Sequence, residues 1–176
     1  MLDPLAFWAA VSELGNPYLW SVLNVLLIVL YLPIARYGKA PRFRDAYRSF
    51  LLVLVVSLLA SFAAVEAMKQ ACAIPRPCTT CAENPAACNP YCKPDSSFPS
   101  GHAATAFAAF TSLFLFKRKK RPAPLLFLVP LLIAISRVAL GVHTYADIAT
   151  GSFIGIALPL LVYHVSKRHG FVTYIK

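Results

Sequence analysis

The sequence predicts an all-α, polytopic membrane helical bundle with five clear transmembrane helices and a short N-terminal interfacial or half-inserted helix. Three observations carry that reading. Hydrophobic residues make up 59% of the chain and charged residues only 14%, against about 25% charged in soluble domains. Apolar runs approach the roughly 20 residues that a helix needs to cross a bilayer. Basic residues gather in alternate connections, as topology signals do. A length of 176 residues suits a single membrane-embedded domain over residues 1–176.

The elements follow in order. Residues 5–13 are too short to span, and Trp8 marks them as an interfacial helix. Gly15-Asn16-Pro17 ends it. The first span covers 18–35, with Tyr18 and Trp20 at one end and Arg36-Tyr37 at the other. The second covers 47–68, and a long polar connection, 69–98, follows it. The third, 103–116, and the fourth, 124–138, are short; the fifth covers 145–165. Gly151 and Gly155, four residues apart, form a small face for close helix contact.

Loop charge sets the orientation. Arg36, Lys39, Arg42, Arg44 and Arg48 fill one connection, Lys117 to Arg121 fill another, and Lys167, Arg168 and Lys176 close the chain. These are 13 of the 17 basic residues, and the positive-inside rule puts them in the cytoplasm. Lys69, Arg76, Lys93 and Arg137 then face outward. Topology explains most of the net charge of +10, and no nucleic-acid-binding pattern accompanies it. The N-terminal residues lack the basic leader of a signal peptide.

All five cysteines, Cys72, Cys78, Cys81, Cys88 and Cys92, lie in one outward connection. In an oxidising compartment this predicts one or two disulfides and at least one spare thiol. Zinc held by Cys78, Cys81, Cys88 and Cys92 is the minor alternative. A disulfide there would hold Arg76 near the membrane face.

Three short patterns sit at the ends of the apolar segments: Lys69 with Arg76-Pro77, Pro99-Ser100-Gly101-His102, and Ser136-Arg137 with His143 and Asp147. An ionisable cluster at a membrane edge is a functional-site hypothesis by default. Phosphate transfer spreads negative charge over three equatorial oxygens. Lys69 can supply a point charge, and Arg76 and Arg137 can each fork onto two oxygens. Ser100 and Gly101 open a helix, where backbone amides point at an anion. A neutral His143 can attack phosphorus, while protonated His102 donates to the leaving oxygen and then activates water; the reverse assignment is physically possible, and Asp147, close after His143, tips the choice. Asp147, one helical turn beyond His143, would hold the proton-bearing nitrogen of that ring. Taken singly, each residue has a plainer use as a helix cap or a snorkelling cation. Glu66 can pair with Lys69, and Glu83, Lys93 and Asp95 read as solvated loop residues. No metal or cofactor is expected, because the histidines are needed for the chemistry and carboxylates are scarce on that side.

These patterns, in this order, resemble the split signature of the type 2 phosphatidic acid phosphatase superfamily, which also includes vanadium haloperoxidases. The signature is Lys-x6-Arg-Pro, Pro-Ser-Gly-His and Ser-Arg-x5-His-x3-Asp, and every named position matches. The resemblance implies His143 as nucleophile, His102 as acid and base, and Asp147 as orienter. It implies Lys69, Arg76, Ser100, Gly101 and Arg137 as phosphate binders. Membrane members usually have six transmembrane helices and an extracytoplasmic active site; here the short N-terminal helix would stand in the place of the missing span.

The expected activity is hydrolysis of a lipid phosphate monoester or pyrophosphate in a bacterial inner membrane, without a metal, on the periplasmic face. The compact chain is most similar to bacterial lipid A 1-phosphatases. Phosphatidylglycerophosphate and undecaprenyl pyrophosphate are alternative substrates, and lipid-to-lipid phosphotransfer is an alternative reaction. A phospholipid binder or transporter is the non-enzymatic alternative. The expected partner is a membrane lipid, with neither nucleic acid nor an obligate protein partner.

Overall fold

The computed structural model describes residues 4–38, 40–80, 90–116 and 123–172. Six α-helices lie among them: α1 (Pro4–Glu13), α2 (Pro17–Tyr37), α3 (Pro41–Cys72), α4 (Gly101–Phe116), α5 (Leu128–Ala139) and α6 (Tyr145–Arg168). The all-α class stands, but the expected five transmembrane helices do not. Among the described residues, only three apolar stretches are long enough to cross a membrane: Pro4–Tyr37, Pro41–Cys72 and Tyr145–Arg168. The first takes in both α1 and α2. The apolar helices Gly101–Phe116 and Leu125–Ala139 are shorter.

The correction has a physical cause. At about 1.5 Å per residue, α4 is roughly 24 Å long, short of a hydrocarbon core of about 30 Å. Its apolar composition reports burial against protein instead. Ala103, Ala104, Ala106, Ala108 and Ala109 are all buried, and α4 packs between α3 and α6 with α5 against it. Meanwhile α5 is two-faced: Leu128, Leu131 and Leu132 are exposed, whereas Ile133, Ala134, Ser136 and Arg137 are buried. An apolar run of such length serves a core helix as well as a span.

Small residues let α6 lie directly on α4. A Cβ on Gly151 would stand 2.4 Å from the Ser100 carbonyl oxygen, and one on Gly155 would stand 2.4 Å from that of Ala104. No side chain fits at either point, so the two glycines are the small face expected from their spacing. α2 is peripheral, with no fully buried residue. It meets the bundle through Trp20 edge-on to Phe110 at 6.2 Å and Tyr31 stacked on Tyr47 at 5.5 Å. Val22, Val25, Val29 and Leu32 of α2 stay exposed, as suits a face toward lipid.

The turn between α1 and α2 is built as its residues suggest. The Asn16 side chain accepts from the Tyr18 amide at 3.0 Å, and Pro17 starts the helix where a missing N–H costs nothing. Trp8 is not free of the protein: it packs with Leu140 and Val142 beside Cys78 and Cys92. α1 thus lies on the bundle against α5.

Chain direction brings the C-terminal ends of α1, α3 and α5 together with the N-terminal ends of α4 and α6. All three sequence patterns meet there. Arg36, Arg42, Arg44, Arg48, Lys167 and Arg168 lie at the opposite ends of their helices. Lys39, the basic run 117–121 and Lys176, also used for orientation, fall outside the described residues.

Candidate active site

α3 ends at Ala73, which takes a left-handed conformation (φ 46°) and donates its amide to the Lys69 carbonyl. The chain then doubles back. The Ser97 amide donates to the Ile74 carbonyl at 2.7 Å, and the Ile74 amide donates to the Ser96 hydroxyl at 3.1 Å. A disulfide joins Cys78 to Cys92, so one of the expected bridges is present. Cys72 is free and exposed. Cys81 and Cys88 lie outside the described residues, and the zinc alternative has lost two of its four ligands to the disulfide.

This return carries Asp95 onto the basic pair. Lys69 Nζ donates to Asp95 Oδ2 at 2.6 Å, and Arg76 donates from Nη2 and Nε to Asp95 Oδ1 at 2.7 and 3.1 Å. Glu66 is a looser partner, 3.7 Å from Lys69 Nζ. Partial burial by itself would raise the Asp95 pKa. Hydrogen bonds and charge from Lys69 and Arg76 outweigh it and hold the carboxyl at about 2.

The far edge of Arg76 reaches the histidine. Nη1 donates to the Val142 carbonyl at 3.2 Å and lies 3.1 Å from His143 Nε2. A guanidinium can only donate, so Nε2 is the unprotonated nitrogen and Nδ1 carries the proton. Nδ1 in turn faces Asp147 Oδ2 at 3.4 Å and the Ser97 hydroxyl at 3.5 Å. Burial first, then the charges of Arg76 and Arg137, push the His143 pKa well below 6.5 against the opposing pull of Asp147. The ring is therefore neutral at physiological pH.

Asp147 is fixed from three sides. Its Oδ2 accepts from the Thr144 amide at 2.8 Å, while the Asp147 amide donates to Thr144 Oγ1 at 3.3 Å, forming a capping box at the start of α6. The Ser97 hydroxyl donates to the same carboxylate oxygen. Capping and orientation, which compete as readings of the sequence, are here two uses of one carboxylate.

Arg137 is buried at the end of α5. Nη1 donates to the Ser12 hydroxyl of α1 at 2.5 Å, and Nε has no partner among the described residues. A buried guanidinium N–H without a partner is costly. The Arg137 side chain borders the same cavity as His102, which is half-buried in the first turn of α4. That cavity, about 660 Å³, is lined at its polar end by Lys69, Arg76, Gly101, His102, Arg137 and His143. It continues as an apolar cleft between α2 and α3, past Val25, Ile28, Leu58, Leu59 and Phe62.

Two predicted residues stand behind the wall. Ser100 is fully buried; its amide donates to the Asp147 carbonyl at 3.0 Å and its hydroxyl accepts from the Ala103 amide at 3.5 Å. Its amide is thus engaged in joining α4 to α6. Asp147 touches His143 and does not line the cavity. Lys93 and Asp95, exposed as the sequence reading expects, also line it. Ser12 and Ser97 carry no sequence signal, because the role of each depends on where the chain folds back.

The PAP2 superfamily pattern matches residues 50–171. A curated relative, the bacitracin transport permease protein BcrC of Bacillus licheniformis, is 32% identical over 78 residues, covering 44% of this chain and 37% of that protein. The match thus spans little more than a third of that relative. Among solved structures, a transmembrane PAP2-type phosphatidylglycerolphosphate phosphatase from Bacillus subtilis superposes with a TM-score of 0.67 at 23% identity, covering 96% of this chain and 80% of that one. Aquifex aeolicus LpxE superposes with a TM-score of 0.59 at 26% identity, covering 92% and 87%.

Proposed function

The chain belongs to the PAP2 superfamily, and on that premise we propose that it hydrolyses the phosphate ester or anhydride of a membrane lipid through a phosphohistidine on His143. One observation carries the proposal. Arg76 Nη1 lies 3.1 Å from His143 Nε2, which marks Nε2 as the lone-pair nitrogen and puts it beside the cation that would meet the phosphate.

The steps follow from the cavity wall. A phosphoryl group enters the polar end, where Lys69, Arg76 and Arg137 balance its charge. His143 Nε2 forms a bond to phosphorus as the bond to the lipid oxygen breaks. Burial and the charge of Arg137 hold the His102 pKa well below 6.5 in the free protein, so His102 takes up a proton from solvent as the phosphate anion enters and gives it to that oxygen. Asp147 balances the charge that develops on the His143 ring. Water then attacks phosphorus, His102 takes up its proton, the P–N bond breaks, and phosphate leaves. Every atom and proton is accounted for by side chains, lipid and water.

The cleft between α2 and α3 supports a lipid over a soluble phosphate, because its apolar wall begins at the polar cluster. Lipid A 1-phosphate is our first choice, on the compact chain and the likeness to Aquifex aeolicus LpxE. Phosphatidylglycerophosphate is second, favoured by the likeness to the Bacillus subtilis enzyme. We assign the site to the extracytoplasmic face, since the basic helix ends lie at the opposite pole.

The test is phosphate release by the purified protein in detergent with EDTA, on lipid A, phosphatidylglycerophosphate, phosphatidic acid and undecaprenyl pyrophosphate. Release from at least one lipid, lost in His143→Ala, is expected. Wild-type turnover in His143→Ala would remove the nucleophile assignment. Release only when a second lipid is added as acceptor would make the protein a phosphotransferase.

A further inference from the structure

Among the buried cations at the site, Arg76 is the most fully committed. Its side chain is 3% exposed, and its N–H groups divide into two edges. Nε and Nη2 hold Asp95 Oδ1, and Nη1 holds the Val142 carbonyl and meets His143 Nε2. Asp95 uses its second oxygen on Lys69 Nζ at 2.6 Å. One carboxylate thus joins two cations that are seven residues apart and come from a helix end and a loop. Asp95 itself is held by its neighbours, because Ser96 and Ser97 bond to Ile74 on the segment between the two cations.

We propose that Asp95 is a positioning residue of this site: its carboxylate ties Lys69 to Arg76 and so aims the Nη1 edge of Arg76 at the nucleophilic nitrogen of His143. This rests on the reading of His143 given above and extends it to a residue outside the three sequence patterns. The side-on grip on Nε and Nη2 leaves a planar guanidinium little freedom to turn. Without it, the anchor left to Arg76 on that edge among the described residues is the Asp95 backbone carbonyl, 3.3 Å from Nε. The low pKa of Asp95 keeps the grip anionic at all working pH values.

A competing role is a plug, in which Asp95 occupies the phosphate seat and must be displaced. The two roles differ in sign. Removing a plug removes negative charge from the seat and frees two cations, so an anion binds tighter. Removing a positioner misaligns Arg76, and a displacement of the order of 1 Å at a reacting centre costs about 10²-fold in rate.

The experiment compares wild type, Asp95→Ala and Asp95→Asn in detergent. It measures kcat and KM for the lipid that wild type turns over, and the Kd of orthovanadate, whose five-coordinate form imitates phosphorus under attack. Thermal unfolding and intact mass verify that each variant is folded with Cys78–Cys92 closed. We expect Asp95→Ala to lose about 10²-fold in kcat with KM changed less than about threefold. Vanadate should bind about tenfold more weakly to both variants. An unchanged kcat in Asp95→Ala, or tighter vanadate binding in either variant, would overturn the proposal. Should Asp95→Ala fail to fold, the isosteric Asp95→Asn decides by the same criteria. Should wild type release phosphate from no lipid, the hydrolase reading fails, and vanadate binding by the three proteins still decides the role of Asp95.

Discussion

Substituting Gly151 by alanine tests whether the α4–α6 contact sets the site. The added Cβ would stand 2.4 Å from the Ser100 carbonyl oxygen, 3.2 Å from Ala103 Cβ and 3.3 Å from the Ser100 carbonyl carbon. Ordinary contact begins near 3.4 Å, so the helices must part by roughly 1 Å. What lies opposite is backbone, which cannot swing aside. The displaced atoms belong to Ser100, whose amide holds the Asp147 carbonyl at 3.0 Å. The strain therefore lands between the start of α4, with His102, and the start of α6, with Asp147. Overpacking of this kind costs about 1–3 kcal/mol in stability, and a 1 Å error at reacting groups costs about 10²-fold in rate. Gly155→Ala is the matched comparison. Its Cβ would stand 2.4 Å from the Ala104 carbonyl oxygen, 2.8 Å from Phe107 Cβ and 2.9 Å from the Ala108 amide nitrogen, a tighter clash about one helical turn, or about 5–6 Å, farther from the site. Thermal unfolding and phosphate release in detergent would be measured on both variants. Gly155→Ala should lose at least as much stability, and Gly151→Ala should lose far more kcat. Equal kcat in Gly151→Ala and wild type would refute the claim that this contact sets the spacing of the site.

Further outcomes follow from the same geometry. His102→Ala should lose about 10²–10⁴-fold on a lipid with a poor leaving group and much less on an aryl phosphate, which needs no acid; equal losses on both would count against His102 as acid. Reducing Cys78–Cys92, separated by 14 residues, should lower stability by up to about 3 kcal/mol, read as a fall in Tm with kcat largely kept; intact mass showing no bond in the untreated protein would reject this. The depressed pKa of His143 means that the unfolded chain gains a proton at 6.5 before the folded one does, so stability contributed by this group falls as pH drops through and below 6.5. Nitrogen-15 histidine NMR should find the His143 ring neutral at pH 6, and a charged ring there would be contrary. Asp95, held at about 2 against 3.8, adds stability that is present above pH 3.8 and lost as pH falls through 2.

The sequence discloses the polar half of this molecule more fully than its membrane half. Residue types at fixed spacing carry chemistry wherever they occur, and six of the eight predicted site residues line one cavity. Apolar runs are ambiguous, because burial in protein and burial in lipid select the same residues. The alanine-rich Gly101–Phe116 helix is packed inside the bundle, whereas Leu and Val on α2 stay exposed. Length separates the cases better than composition. Asp95 is exposed as its loop position suggests, but its pairing with Lys69 and Arg76 is hidden from the sequence, because those partners lie 26 and 19 residues upstream and meet it only after the chain reverses at Ala73. The same holds for Ser97, and for Ser12, which reaches Arg137 across 125 residues. No local period marks any of the three. The glycine pair was legible, since two small residues one turn apart on an apolar helix have few other uses.

The central claim is that His143 takes the phosphoryl group from a lipid. Its most direct test is acid-free trapping of the phosphoenzyme in the His102→Ala protein. An aryl phosphate with a good leaving group would load the nucleophile, while loss of the base slows the release by water. After a rapid alkaline quench and digestion, mass spectrometry would locate the phosphoryl group. Phosphate on the peptide carrying His143, absent from the His102→Ala, His143→Ala double variant, is the predicted result. Phosphate on another side chain, or none in a protein that still releases it from lipid, would contradict the account.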